Sequence, residues 1–396
     1  MLIDPPELDD DCDYGDPGLV GYQDRLKHLR DTKGVARLRL GTTTGHMLLR
    51  YADVKNGFFD CKRFSKSLAL RDVTFAMMGP NIQGYDGEEH RIKRGLVSRA
   101  FRPRTVRDSI EPLLRPIAEE LAEELAPMGS ADLMATFAKR YPLRVITRML
   151  GIPREDEDQM AGWAYAMLRT RTNPEAARRA NDEFTRYVAP LVQKRRVDPA
   201  NDLLSTIVTE EIDGQRLDDD EVFGFLRLLF PAGVDTVWLT LGSMMIAVLE
   251  QPEVHQRLID NEEDRAQAIE ETLRWESATG TEGRVTTEAV VCSGVEIPAG
   301  ELLWMSPAVA NRDPEVFENP DSWDLDRPFK QHVGFGLGSH FCLGAYLARA
   351  ELNIGLEVLL RRLPNLRMVE RPFVQGTTLR GPKNLHVAWD TFQPRR

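Results

Sequence analysis

The sequence predicts a mainly α-helical fold with small β-sheets, and three observations carry that expectation. Apolar residues recur at helical spacing through most of the chain, and strand-like stretches are few and short. No Gly/Ser or Pro run, repeat or low-complexity block divides the 396 residues. A hydrophobic content of 42% is enough for a sizeable core, so a single domain spanning 1–396 is expected.

The elements follow in order. The start through about residue 15, with Asp9-Asp10-Asp11, is acidic and expected to be flexible. Strand-like pieces come at 35–40 and 47–49. Helical spacing covers 88–100, 106–126, 133–150, 155–171 and 174–195. A strand-rich patch at 284–297 ends in the turn Pro298-Ala299-Gly300, and a last strand is expected at 385–389.

Residues 217–249 read as one long helix. Asp218, Asp219 and Asp220 favour its N-terminus, and Pro252 lies beyond its end. Pro231 cannot donate to the carbonyl of Arg227 and should bend it. Gly233 leaves room for a planar ligand. Thr236 can bond back to the carbonyl of Ala232 or offer its hydroxyl to a groove. Taken alone, the segment reads first as a core helix with a packing defect.

The most informative run is Phe335-Gly336-Leu337-Gly338-Ser339-His340-Phe341-Cys342-Leu343-Gly344. A helix is expected from near Leu343 to a stop at Pro364. A sulfur at its N-terminus would feel the positive end of the macrodipole, which favours thiolate. The glycines let a flat ligand approach the backbone. A structural cysteine remains open on these residues alone.

The run resembles the haem-binding signature of the cytochrome P450 family, with Leu347-Ala348-Arg349 following in place. The segment Ala232-Gly233-Val234-Asp235-Thr236 resembles that family's oxygen-activation motif, and Glu271-Thr272-Leu273-Arg274 resembles its Glu-x-x-Arg. Pro231, Val237 in place of a second Thr, and Thr279-Gly280-Thr281 in place of a proline-containing turn depart from the common pattern.

The resemblance covers the chain from about Tyr51 onward. It implies a triangular, mainly helical fold with haem b between the long central helix and the helix after the cysteine loop. Cys342 would be the axial ligand of the iron. His90, Arg94, Arg284 and His332 would meet the haem propionates, while Ala232, Gly233, Phe335, Gly336, His340 and Gly344 would border the macrocycle. Asp235 and Thr236 would be catalytic, passing protons to bound dioxygen. Arg327 would join Glu271 and Arg274 in a network bracing the loop beneath the haem. The substrate pocket would include Met77, Met78, Leu168, Leu229, Ala232, Thr279, Thr281 and Thr377.

The implied reaction is monooxygenation of a small hydrophobic or aromatic substrate, by hydroxylation or O/N-dealkylation. One atom of O2 enters the substrate and the other leaves as water. No flavin or iron–sulfur motif is present, so electrons are expected from NAD(P)H through a separate ferredoxin and ferredoxin reductase. Lys62, Arg63, Arg99, Arg102, Arg104 and Arg349 are candidates for a donor-facing patch. Two other readings stay open. A peroxygenase would lack the acid–Thr pair and place an arginine near the iron. A non-catalytic haem-thiolate sensor would bind CO yet oxidise nothing.

The net charge of −11 argues against nucleic acid as a partner. Cys12, Cys61, Cys292 and Cys342 show neither metal nor disulfide spacing, which suits a reducing cytoplasm. The opening Met-Leu-Ile-Asp-Pro-Pro is unlike a signal peptide, and no apolar run is expected to span a bilayer. A cytoplasmic monomer without a membrane anchor is the expectation.

Overall fold

The structure, a computed structural model, describes residues 8–168 and 173–391. Helices dominate. The longest, Asp219–Leu249, is the central helix; Ala345–Arg362 is the proximal helix, and Glu262–Trp275 packs against both. Asp218 caps the central helix by accepting from Glu221 N–H at 2.9 Å, while Glu221 accepts from Asp218 N–H at 3.1 Å. The helix runs through Pro231 without interruption.

That helix overturns one expectation. By length and composition it could cross a membrane, yet 78% of its most apolar stretch is buried in the protein. It is apolar over most of its surface because other elements cover most of it.

The largest sheet has five strands in the order Val35–Leu40, Thr43–Leu48, Leu302–Met305, Glu282–Thr286, Phe64–Ser65. Thr43–Leu48 lies parallel to Leu302–Met305, and Arg284 sits opposite Leu303 on the neighbouring strand. A three-stranded sheet joins Ser130–Asp132, His386–Ala388 and Arg367–Met368.

The acidic start is only partly as expected. Residues 1–7 lie outside the described residues. From residue 8 the chain is tied down: Asp9 N–H donates to Arg37 O at 2.9 Å and Tyr14 N–H to Arg39 O at 2.8 Å. Tyr14 is fully buried beside Tyr22 and Leu26, and that apolar burial fixes the segment. Expected helices at 88–100 and 174–195 are Gly87–Ser98 and Pro174–Val197. The helix expected at 155–171 is seen as Glu157–Met167, with 169–171 outside the described residues.

Candidate active site

A cavity of ≈ 260 Å³ lies between the middle of the central helix and the loop carrying Cys342. Leu229, Ala232, Gly233, Thr236 and Thr240 line it from the central helix; Phe335, Gly336, Cys342 and Gly344 line it from the loop. The loop is held tightly. Cys342 N–H donates to Phe335 O at 2.9 Å, and Gly336 and Gly338 sit at φ of 64° and 69°, where a side chain would be strained. A Cβ on Gly338 would lie 2.6 Å from the carbonyl oxygen of Phe58.

The proximal helix starts three residues after the sulfur, not beside it. Burial pushes the Cys342 thiol up; the Gly344 N–H, Arg94, Lys66 and Arg349 pull it the other way. The helix terminus therefore does not by itself supply the thiolate. A bound metal ion would, because its charge favours the deprotonated sulfur.

Polar groups converge at one side of the cavity. Of the four residues expected to meet the propionates, His90, Arg94 and Arg284 line it, together with His340. The rings of His90 and His340 lie 4.0 Å apart. His340 bonds Asp86 at 2.9 Å. Burial, then His340 and Arg94, bring His90 down to about 3, so at neutral pH it is an uncharged N–H donor rather than a cation. His90 Nε2 and Arg284 Nε are buried with no hydrogen-bond partner among the described residues. Such orphans call for an acceptor.

Lys66 adds a charge that spacing did not reveal. It is buried, lines the cavity and reaches Glu282 at 3.4 Å. Glu282 itself was legible, being two residues before Arg284 on one strand and hence on the same face. These donors and cations suit two carboxylates, and the glycine-lined floor beside Cys342 suits a flat ring. The residues present fit haem b.

His332 is the exception. It does not line the cavity. Its Nε2 meets Glu270 Oε2 at 3.1 Å and its Nδ1 accepts from Gly334 N–H at 3.1 Å. Glu270 also holds Arg349 at 2.6 Å, so this carboxylate captures the histidine before it can turn inward. Arg349 stacks over Phe335 at 4.7 Å.

The three-residue network is assembled. Arg274 grips Glu271 with two bonds of 2.8 and 2.7 Å, and Arg327 Nε donates to Glu271 Oε1 at 2.9 Å. Arg274 also reaches Asn311 O, Pro320 O and Ser322 O, lacing the loop before Cys342 to Glu262–Trp275.

Thr236 Oγ1 donates to Ala232 O at 3.1 Å and faces the cavity. Asp235 is buried and faces elsewhere, accepting from Trp238 Nε1 at 2.7 Å. Burial pushes its carboxyl up to about 6. Glu351, on the proximal helix, lines the cavity with Oε2 unpartnered, and burial pushes it well up.

Of the expected pocket residues, Leu229, Ala232 and Thr279 line the cavity; Met77, Met78, Leu168, Thr281 and Thr377 do not. The carbonyls of Met77 and Met78 are pinned by Asn181 and Arg227, both at 3.0 Å, which sets that helix end back from the cavity. Thr281 and Thr377 are buried in protein instead. Ile82, Gln83, Phe225, Leu228 and Ile146 take their places.

A model of the cytochrome P450 family matches residues 164–366. The chain belongs to the cytochrome P450 family. It is 35% identical to the mycinamicin IV hydroxylase/epoxidase of Micromonospora griseorubida over 377 residues, covering 92% of this chain and 95% of that protein. It is 35% identical to the nocardicin C N-oxygenase of Nocardia uniformis over 394 residues, covering 95% and 98%. The solved structure of the Bacillus subtilis bacillaene polyketide synthase P450, PksS, superposes with a TM-score of 0.87 at 32% identity, covering 96% of this chain and 98% of that one. The P450 fold, the haem b cofactor and the class of activity, an oxygen-inserting monooxygenase, follow.

Proposed function

We propose that this P450 is one catalytic domain that oxidises a small hydrophobic substrate in the cytoplasm with electrons from a separate ferredoxin. One observation carries the assignment of roles: Cys342 and Thr236, more than a hundred residues apart in sequence, line one cavity, one from the cysteine loop and the other from the central helix. Cys342 would hold the haem iron through its sulfur. Arg94, Arg284 and Lys66 would neutralise the propionates, and the His90 N–H would donate to one of them, while His340 spends its N–H on Asp86. Phe335 shields the sulfur side from water.

Haem, when bound, supplies the iron that binds and splits O2, with the thiolate pushing electron density toward it. The chain's own residues do the rest. Thr236 offers its hydroxyl to the oxygen side of the cavity. Asp235, whose carboxyl burial pushes up to about 6, passes protons toward it. Leu228, Leu229, Phe225 and Ile146 exclude water and hold the substrate by apolar contact, with Gln83 and Thr279 as polar anchors. Two relatives carry names for oxidising mycinamicin IV and nocardicin C, and the apolar lining of this cavity takes a hydrophobic substrate.

Four of the six expected donor-facing cations are already paired: Arg63 with Asp60, Arg99 with Glu210, Arg104 with Asp108 and Arg349 with Glu270. Lys62 and Arg102 are exposed and remain candidates for steering a ferredoxin.

The absorption spectrum of the reduced, CO-bound protein tests the assignment. The parent should give the thiolate-type Soret band, and Cys342→Ser should lose it. Survival of that band in the variant would remove Cys342 from the iron.

A further inference from the structure

The acid of the proton relay does not point where its neighbours point. Leu229, Ala232, Gly233, Thr236 and Thr240 face the cavity from the central helix, whereas Asp235 and Trp238 do not. Each helical residue is turned by about 100° from the last, which sets Asp235 about 100° and Trp238 about 160° round the axis from Thr236. The two side chains meet there, three residues apart on one face, and Trp238 Nε1 donates to Asp235 Oδ1 at 2.7 Å. No other side chain bonds Asp235 among the described residues. Lys139 Nζ lies 4.9 Å from the Trp238 ring centroid, so a cation backs the indole.

We propose that Trp238 is a positioning residue for proton delivery: its indole N–H holds the Asp235 carboxyl on the side of the helix away from the cavity, and the carboxyl must leave the indole to serve Thr236. The proposal rests on the reading of Asp235 and Thr236 as the relay. In the step, protonated Asp235 gives its carboxyl proton to the Thr236 oxygen as the Thr236 hydroxyl releases its own proton into the cavity, and the resulting carboxylate is reprotonated by hydronium from solvent.

The electrostatics agree with the geometry. Burial raises the carboxyl, while the indole bond and Lys139 favour its ionised form. Tyr165, on Glu157–Met167, is the other titratable group that feels it; burial and the Asp235 charge push its hydroxyl up. The indole therefore holds the ionised carboxyl more strongly than the protonated one, so protonation frees the side chain to turn toward Thr236 and loss of the proton returns it to Trp238. A carboxyl with two such positions can load on one side and discharge on the other.

Infrared difference titration of the haem-loaded protein tests this without knowledge of the substrate. Asp235→Asn identifies the relevant protonated-carboxyl band by removing it. Trp238→Phe keeps an aromatic ring under Lys139 and deletes the donor, so the midpoint should rise by about one pH unit. Trp238→Gln restores an N–H donor and should return the midpoint toward the parent value. Trp238→Met serves as the second donorless variant if the Phe variant does not fold. With NADPH, a surrogate ferredoxin–reductase pair and no added substrate, the pH inflection of hydrogen peroxide released per NADPH should move by the same amount. A midpoint unchanged in both donorless variants overturns the role of Trp238. A midpoint that moves while the turnover inflection stays put reduces it to a structural contact and overturns the proposal. A turnover profile identical in Asp235→Asn and parent overturns the relay itself, a failure distinct from the first two.

Discussion

Asp235 is a charge that the fold would be more stable without. Burial lifts its carboxyl from 3.8 to about 6, so protons bind the folded chain more tightly than the unfolded one between those values. The sign follows. Below pH 3.8 both states are protonated and the group costs nothing; as pH rises through about 6 the folded chain must hold a buried carboxylate, and stability is lost. Asp235→Asn should therefore raise the unfolding free energy at pH 7.5 by about 3 kcal/mol and leave it unchanged near pH 3, as read by urea titration of the holoprotein. Asn still accepts the Trp238 N–H, so the gain isolates charge from hydrogen bonding. Thr236 has the opposite profile, with little stability at stake. Its hydroxyl bonds Ala232 O, which is already a helix acceptor. Thr236→Ala should fold normally and keep consuming NADPH while releasing hydrogen peroxide. Product per NADPH should fall roughly a hundredfold, the lower end of what a positioned proton donor contributes.

Among elements, the segment from Glu262–Trp275 to Arg327 shows what sequence can and cannot convey. Glu271 and Arg274 were legible because three-residue spacing puts both on one helix face. That Arg274 also collects the carbonyls of Asn311, Pro320 and Ser322 was not, since no side-chain pattern announces where a loop's carbonyls will point. His332 was misplaced for a related reason. Its partner Glu270 lies beside the recognisable Glu271, and only three dimensions show that Arg349 and His332 share it. The network makes a firm prediction. Glu271 is 2% exposed, and Glu271→Gln leaves Arg274 and Arg327 without their counter-charge. Removal of one partner from a buried pair costs about 3–5 kcal/mol, so the variant should unfold at lower urea and lose haem faster. Replacement of Glu270 by Gln, at a carboxylate about a fifth exposed, should cost much less.

For the whole molecule, helix positions were readable because apolar residues at 3.6 spacing report burial directly. The sheets were not: Thr43–Leu48 finds its parallel partner some 250 residues later, and nothing local encodes that pairing. The cavity was readable only through its motifs. Its sides come from the helices, the five-stranded sheet and the cysteine loop, so whatever fills it ties those parts together. Lys66, Arg94 and Arg284 converge there beside two unpartnered buried nitrogens, with Glu282 as the near counter-charge. Without the propionates these cations repel and the orphan donors go unpaired, costs that fall on the folded state alone. Haem removal should therefore lower the urea midpoint. Haem added back to a thousand times its dissociation constant should restore about 4 kcal/mol by mass action. Arg284→Met separates this account from simple cavity filling. It relieves the repulsion in the haem-free protein and removes a propionate partner in the loaded one, so the gap between the two midpoints should narrow from both sides. If filling an apolar hole were the whole effect, the variant would shift both midpoints together and leave the gap intact.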